Sequence, residues 1–122
     1  MEQPISRQQH GFIDYAYVPP VAATPELVGF ENELTATTLT RLLSGGVLAA
    51  TLLTRAEWGL VKLIPFKAHL LTDAAVSALV MAVPWLGGFA QNIRARNTFL
   101  AIGAFGITAV LLTKPEEMAS KK

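Results

Sequence analysis

Displaced by 59 residues, the chain matches itself without a gap. His10 falls on His69, Asp14 on Asp73, Pro25 on Pro84, Gly29 on Gly88 and Phe30 on Phe89. Leu52, Leu53, Thr54 and Glu57 fall on Leu111, Leu112, Thr113 and Glu116, and Arg55 falls on Lys114. Between residues 10 and 57 there are 15 identities over 48 aligned positions. Composition alone gives only a few, and self-similarity at a fixed period is the mark of one supersecondary unit used twice. The sequence therefore has to fold as two copies of one object.

Each copy holds two apolar segments. Residues 74–93 contain no charged side chain, close to the roughly 20 residues a helix needs to cross a bilayer core. Residues 97–113 are also charge-free and stop at Lys114-Pro115, which supplies a basic C-terminus and a breaker. Residues 35–54 are interrupted only by Arg41, which can snorkel to a headgroup. Residues 9–24 are the most polar of the four, with His10, Asp14, Tyr15, Tyr17 and the pair Pro19-Pro20, where a kink is expected. The reading is an all-α, four-transmembrane-helix bundle of two tandem helical hairpins, residues 9–57 and 69–116, joined by a linker at 58–68 and flanked by tails at 1–8 and 117–122. Since each hairpin crosses twice, both copies enter from the same side, which sets a pseudo-twofold axis along the membrane normal. A soluble four-helix globule is the alternative, but no segment shows a clear polar face.

Basic residues orient the bundle. Arg7, Arg55, Lys62, Lys67, Lys114, Lys121 and Lys122 lie in the tails and linker, against Arg41, Arg94 and Arg96 at the other connections. Both termini are thus expected on the cytoplasmic side of the inner (plasma) membrane. Trp58, Tyr15 and Tyr17 would mark one boundary and Trp85 the other. The first thirty residues include Glu2, Asp14 and the pair Pro19-Pro20, so no cleaved signal is expected. A net charge of +1 with scattered basic residues argues against nucleic acid, and the absence of cysteine excludes disulfides, thiolate metal sites and cysteine nucleophiles.

The polar residues inside this apolar chain are the candidate site. An i, i+4 spacing puts His10 and Asp14 on one helix face and His69 and Asp73 on another. The twofold can gather all four, to hold a divalent metal, relay protons or give an axial ligand to a pigment. The plainer reading pairs each aspartate with the histidine of its own helix. No cofactor is required by the sequence, and the metal is left open. Pro25 and Pro84, with Gly29 and Gly88 behind them, are expected to end a helix and turn the chain, with Phe30 and Phe89 packing over the turn. Ala74, Ala78 and Ala82, and Gly45-Gly46 against Ala49-Ala50, are small-residue stripes that permit close helix contact. Pro19 and Pro20 leave carbonyls one turn earlier without donors, so Tyr15, Tyr17, Pro19 and Pro20 form a candidate partner face. No nucleophile–base–acid set, phosphate loop or paired-carboxylate pattern is present, and no enzyme activity is expected.

Val83-Pro84-Trp85 followed by Leu86-Gly87-Gly88-Phe89, preceded by the linker EWGLVKLIPFKAHLLTD, resembles the SPW-repeat family of small bacterial integral membrane proteins, named for Ser-Pro-Trp at the end of the first of two transmembrane helices. The first copy departs from the motif, with Thr24-Pro25-Glu26 in its place. The resemblance implies an architecture and no settled activity. The functional expectation is a structural or accessory subunit, partnered by the lipid bilayer and by other membrane protein subunits. The altered first copy suggests the partner, because docking one face lets that copy drift. A ligand-binding or ion- or proton-conducting protein using the His/Asp cluster is the second expectation, and a soluble helical binding module the third.

Overall fold

The computed structural model describes residues 3–117, and among these it is all-α with four α-helices and no strand. Lys121 and Lys122 of the charge count, and most of the C-terminal tail, lie outside the described residues.

Helix α1 spans Arg7–Thr24 and opens with a reciprocal capping box: the Gln9 N–H donates to Ser6 Oγ and the Ser6 N–H donates to Gln9 Oε1. Pro19 and Pro20 lie inside α1. At Pro25 the chain passes into a five-residue π-helical turn, Pro25–Gly29, rather than breaking. Helix α2 covers Leu34–Leu52, α3 Phe66–Leu86 and α4 Ile93–Leu112.

The charge-free runs are not the helices. α3 begins eight residues before residue 74, because Pro65 presets the first turn and Glu117 supplies acceptors to the free N–H groups of Phe66 (2.9 Å) and Lys67 (3.1 Å). It also runs through Pro84 to Leu86, so Pro84 is not the stop, whereas α1 ends at Pro25 as expected and the π-helical turn carries the chain on to Gly29. The turns are made behind them by Gly29 and Gly88, whose φ values of 93° and 78° only glycine adopts freely. Phe30 and Phe89 then fold back into the core, each with its N–H on the carbonyl of the proline at 2.9 Å. Helix α4 starts at Ile93 rather than at residue 97, capped by the Asn92 side chain on the Ala95 N–H, and so takes in Arg94 and Arg96.

α1 packs on α2 and α3 on α4, two hairpins side by side, with α1 next to α4 and α2 next to α3. The expected tail and linker tie the hairpins together. The Ile5 N–H donates to the Leu112 carbonyl and the Lys114 N–H to the Ile5 carbonyl; 59 residues on, the Ile64 N–H donates to Leu53 and the Arg55 N–H to Ile64, all at 2.7 to 3.0 Å. Each hairpin's entrance thus pairs with a hairpin's exit.

The interior is mixed, with Phe30, Phe66, Phe89 and Phe99 in an apolar core beside a set of buried polar side chains, and much of the outer surface is apolar. Thr40, Ser44, Thr51, Thr54, Thr113, His10, Asp14 and His69 are buried, while Phe12, Leu34, Leu42, Leu71, Leu79, Leu86, Ile93, Phe105 and Leu111 face outward. The four buried threonines each return their hydroxyl hydrogen to the carbonyl four residues earlier, at 2.5 to 2.7 Å. The small-residue stripes also face outward: nothing lies within 4 Å of a Cβ built on Gly45 or Gly46, and Ala49, Ala78 and Ala82 are exposed. Close approach occurs instead at Gly103 and Gly106, where a Cβ would strike Met81 and Ser77 of α3. Among the described residues, α3 and α4 are the two helices both long and apolar enough to cross a membrane on their own terms.

Candidate functional site

Four side chains from α1 and α3 meet in a ring at the end of the bundle where the two hairpins enter. His10 Nε2 lies 3.0 Å from Asp73 Oδ2 and 3.4 Å from Asp14 Oδ2; His69 Nε2 lies 2.8 Å from Asp14 Oδ2 and 3.1 Å from Asp73 Oδ2. The shorter contact of each histidine is with the aspartate of the other helix, so the expected pairing within each helix gives way to a crosswise one. Both imidazoles are about 1 to 2% exposed.

Their orientation is set by two threonines that sequence reasoning passed over. His10 Nδ1 is 2.9 Å from Thr113 Oγ1, and His69 Nδ1 is 2.7 Å from Thr54 Oγ1. Each hydroxyl hydrogen is already committed, Thr113 to the Ala109 carbonyl and Thr54 to the Ala50 carbonyl. The threonine oxygens must therefore accept, and both Nδ1 atoms must carry the proton. That leaves both Nε2 atoms facing the carboxylates. The signal was in the sequence, since Thr54 and Thr113 are identical at the 59-residue offset.

A neutral Nε2 and a carboxylate both offer lone pairs, and two acceptors at 3 Å need something positive between them. Two protons do this, giving two imidazolium–carboxylate pairs; one divalent cation with neutral imidazoles does it equally. Either filling leaves the site without net charge.

Phe66 stands edge-on to His10 at 5.6 Å and stacks on His69 at 6.0 Å, and Trp58 meets His69 edge-on at 5.7 Å. Trp58 is held by its Nε1–H on the Arg7 carbonyl (2.8 Å), and its carbonyl accepts from Tyr15 Oη (2.7 Å). These aromatic rings roof the site. On the opposite side His10, Asp14 and Asp73 open onto a cavity of about 30 Å³, otherwise walled largely by apolar side chains of all four helices, with room for about two water molecules.

The residues of the expected partner face are divided between the surface and the interior. Pro19 and Pro20 are exposed, Tyr15 turns to the Trp58 segment, and Tyr17 points inward to line the cavity and stack on Phe105 at 6.1 Å. Trp85, at the far end of α3, is exposed. Arg41 does not stand free: it donates to the Ala22 carbonyl at 2.8 Å and pairs with Glu26.

Beyond the end of α2, Glu57 has both carboxylate oxygens gripped by Arg7, the first residue of α1, at 2.9 and 2.6 Å, and this hydrogen-bonded pairing drives the Glu57 carboxyl down to about 2. Burial pushes the Glu117 carboxyl up, but its bonds from the Lys67 and Phe66 N–H groups and the nearby Arg55 outweigh that and lower it.

The chain matches no protein-family model, no curated protein and no solved structure.

Proposed function

We propose that this is an integral membrane protein of four spans, two tandem hairpins about a pseudo-twofold axis along the membrane normal, with a structural or accessory role beside a larger inner-membrane complex. The apolar outer surface carries the reading: leucines and phenylalanines such as Phe12 (81% exposed) and Leu34 (75%) face outward, while threonines, histidines and an aspartate lie among the buried residues. In water such a surface marks an interaction site; in lipid it is the expected coat. α1 and α2 pass as spans because their charges are paired. Arg7 with Glu57, Asp14 with the histidines and Arg41 with Glu26 leave no lone charge outward on either helix. At 18 and 19 residues they reach about 27 to 28 Å at 1.5 Å per residue. The likeness to SPW-repeat membrane proteins at residues 83–89 supports the same architecture, with both termini cytoplasmic and no catalytic role.

The test is mild extraction of native membranes and native electrophoresis with mass spectrometry. Migration in an assembly of several different subunits supports the accessory role. A lone monomer or homodimer contradicts it, and recovery in the soluble fraction contradicts the membrane.

A second reading, an ion- or proton-binding protein, is favoured by one observation: a neutralisable His/Asp ring open to a polar-ended cavity.

A further inference from the structure

The ring has the donors, the spacing and the outer support of a metal centre. One donor atom from each of His10, Asp14, His69 and Asp73 lies within 4.8 Å of the others. The four adjacent His–Asp separations, 2.8, 3.0, 3.1 and 3.4 Å, are close to four of the six edges, each about 3.3 Å, of a tetrahedron whose bonds to zinc are about 2.0 to 2.1 Å; the two separations across the ring lie within 4.8 Å. Metal-bound imidazoles almost always donate their second N–H to an oxygen that fixes the tautomer. Thr54 and Thr113 do so here, with their own hydrogens spent on backbone carbonyls. Both imidazoles address the Oδ2 atoms of both carboxylates, which leaves each Oδ1 for water. Two imidazoles with two carboxylates, without thiolate, suit a borderline divalent ion and not magnesium or calcium.

Access is one-sided, although the fold is twofold. Between α2 and α3 a groove of about 280 Å³ reaches Asp73 past Gly46, Val76 and Thr72. The positions 59 residues away from Gly46 and Val76 are Phe105 and Tyr17, and these stack at 6.1 Å. The corresponding groove between α1 and α4, lined by Ile13, Ala16, Tyr17, Pro20 and Phe105, touches none of the four ring residues. One side is plugged and the other is open.

We infer that His10, Asp14, His69 and Asp73 bind one divalent first-row transition metal ion, zinc by its donor set, which enters through the groove between α2 and α3. This rests on the ion-binding reading and is independent of the accessory-subunit one, so failure here leaves the co-migration result standing.

The experiment uses the full chain in mild detergent, stripped with chelator and titrated calorimetrically with Zn2+, with Mg2+ as the contrast. One Zn2+ per chain and no response to Mg2+ are expected. Loss of that binding is expected in the double variant His10→Gln, His69→Gln. Should that variant fail to fold, Thr54→Val keeps all four ligands and is expected to weaken Zn2+ binding about 10- to 100-fold. Gly46→Phe, where a Cβ meets nothing within 4 Å, should copy the plug on the other side and slow Zn2+ uptake at unchanged stoichiometry. No Zn2+ on the folded wild type, equal binding of Mg2+, or Zn2+ binding unchanged in the double variant or in Thr54→Val overturns the site. Uptake by Gly46→Phe as fast as by the wild type overturns the route.

Discussion

His69 illustrates what one residue does at the centre of this molecule. It touches both carboxylates through Nε2 and spends Nδ1 on Thr54. Truncation to alanine leaves two buried carboxylates facing each other with one imidazole between them. Breaking a buried pair by removing one partner costs about 3 to 5 kcal/mol, so His69→Ala should lower the thermal midpoint in detergent sharply. A melting curve matching the wild type would contradict the ring. Thr54→Val removes only the acceptor for Nδ1–H, and an orphaned buried donor costs about 1 to 3 kcal/mol; the same melting experiment should place it between the two. The histidines and aspartates stand out in the sequence because ionisable groups in an apolar chain demand an explanation. Thr54 and Thr113 do not, because threonine is common in such helices and its role emerges only once the hydroxyl hydrogen is traced. Six of the 15 residues shared by the copies are buried in both, the pairs His10 and His69, Val21 and Val80, Pro25 and Pro84, Phe30 and Phe89, Ala36 and Ala95, and Thr54 and Thr113.

At the scale of elements, the decisive contacts are where backbones meet. A Cβ on Gly103 would lie 2.2 Å from Met81 Cγ and 2.7 Å from the Ser77 carbonyl. Gly103→Ala must therefore push α4 away from α3 and lower the midpoint. Gly46→Ala meets open space and, in a helix interior, should raise stability by up to about 1 kcal/mol. Equal effects of the two in thermal melts would contradict the packing. The sequence pointed to the wrong glycines, since a small-residue stripe says that helices can approach and not which face does. Helix ends were equally hard to read from charge alone. Ser6 and Gln9 cap α1 locally, but Glu117 as the cap of α3 is 51 residues away from Phe66, and no local pattern announces it. Charge holds these ends. Glu57 has its carboxyl lowered to about 2 by Arg7, against about 4.3 in an unfolded chain. Its contribution is thus complete above about pH 4.5 and is lost as pH falls towards 2. Glu117 shifts in the same direction. Acid should destabilise the protein in that window, and Glu57→Gln should flatten the fall in midpoint; an unchanged acid profile in that variant would contradict the pairing.

At the scale of the whole molecule, the two hairpins exchange their closing contacts. Ile5 seals the end of α4, Ile64 seals the end of α2, and each histidine reaches the other hairpin's threonine. Much of this was written in the 59-residue offset: two like units, polar at one end, turning at glycine and phenylalanine. The crosswise exchange was not, because an offset says which residues are equivalent and not which of them touch. The offset equally leaves open how many helices cross lipid, since among the described residues only α3 and α4 are apolar enough by themselves, and a crossing by α1 and α2, as proposed, depends on charge pairing that sequence does not display. A chain with no cysteine allows the most direct measurement: single cysteines placed at Asn32, Lys62 and Gln91, labelled with a membrane-impermeant maleimide in vesicles of known orientation. The account predicts that Asn32 and Gln91 label from one side and Lys62 from the other. Labelling of Asn32 and Lys62 from the same side would mean that only the second hairpin crosses, and would contradict the four-span bundle.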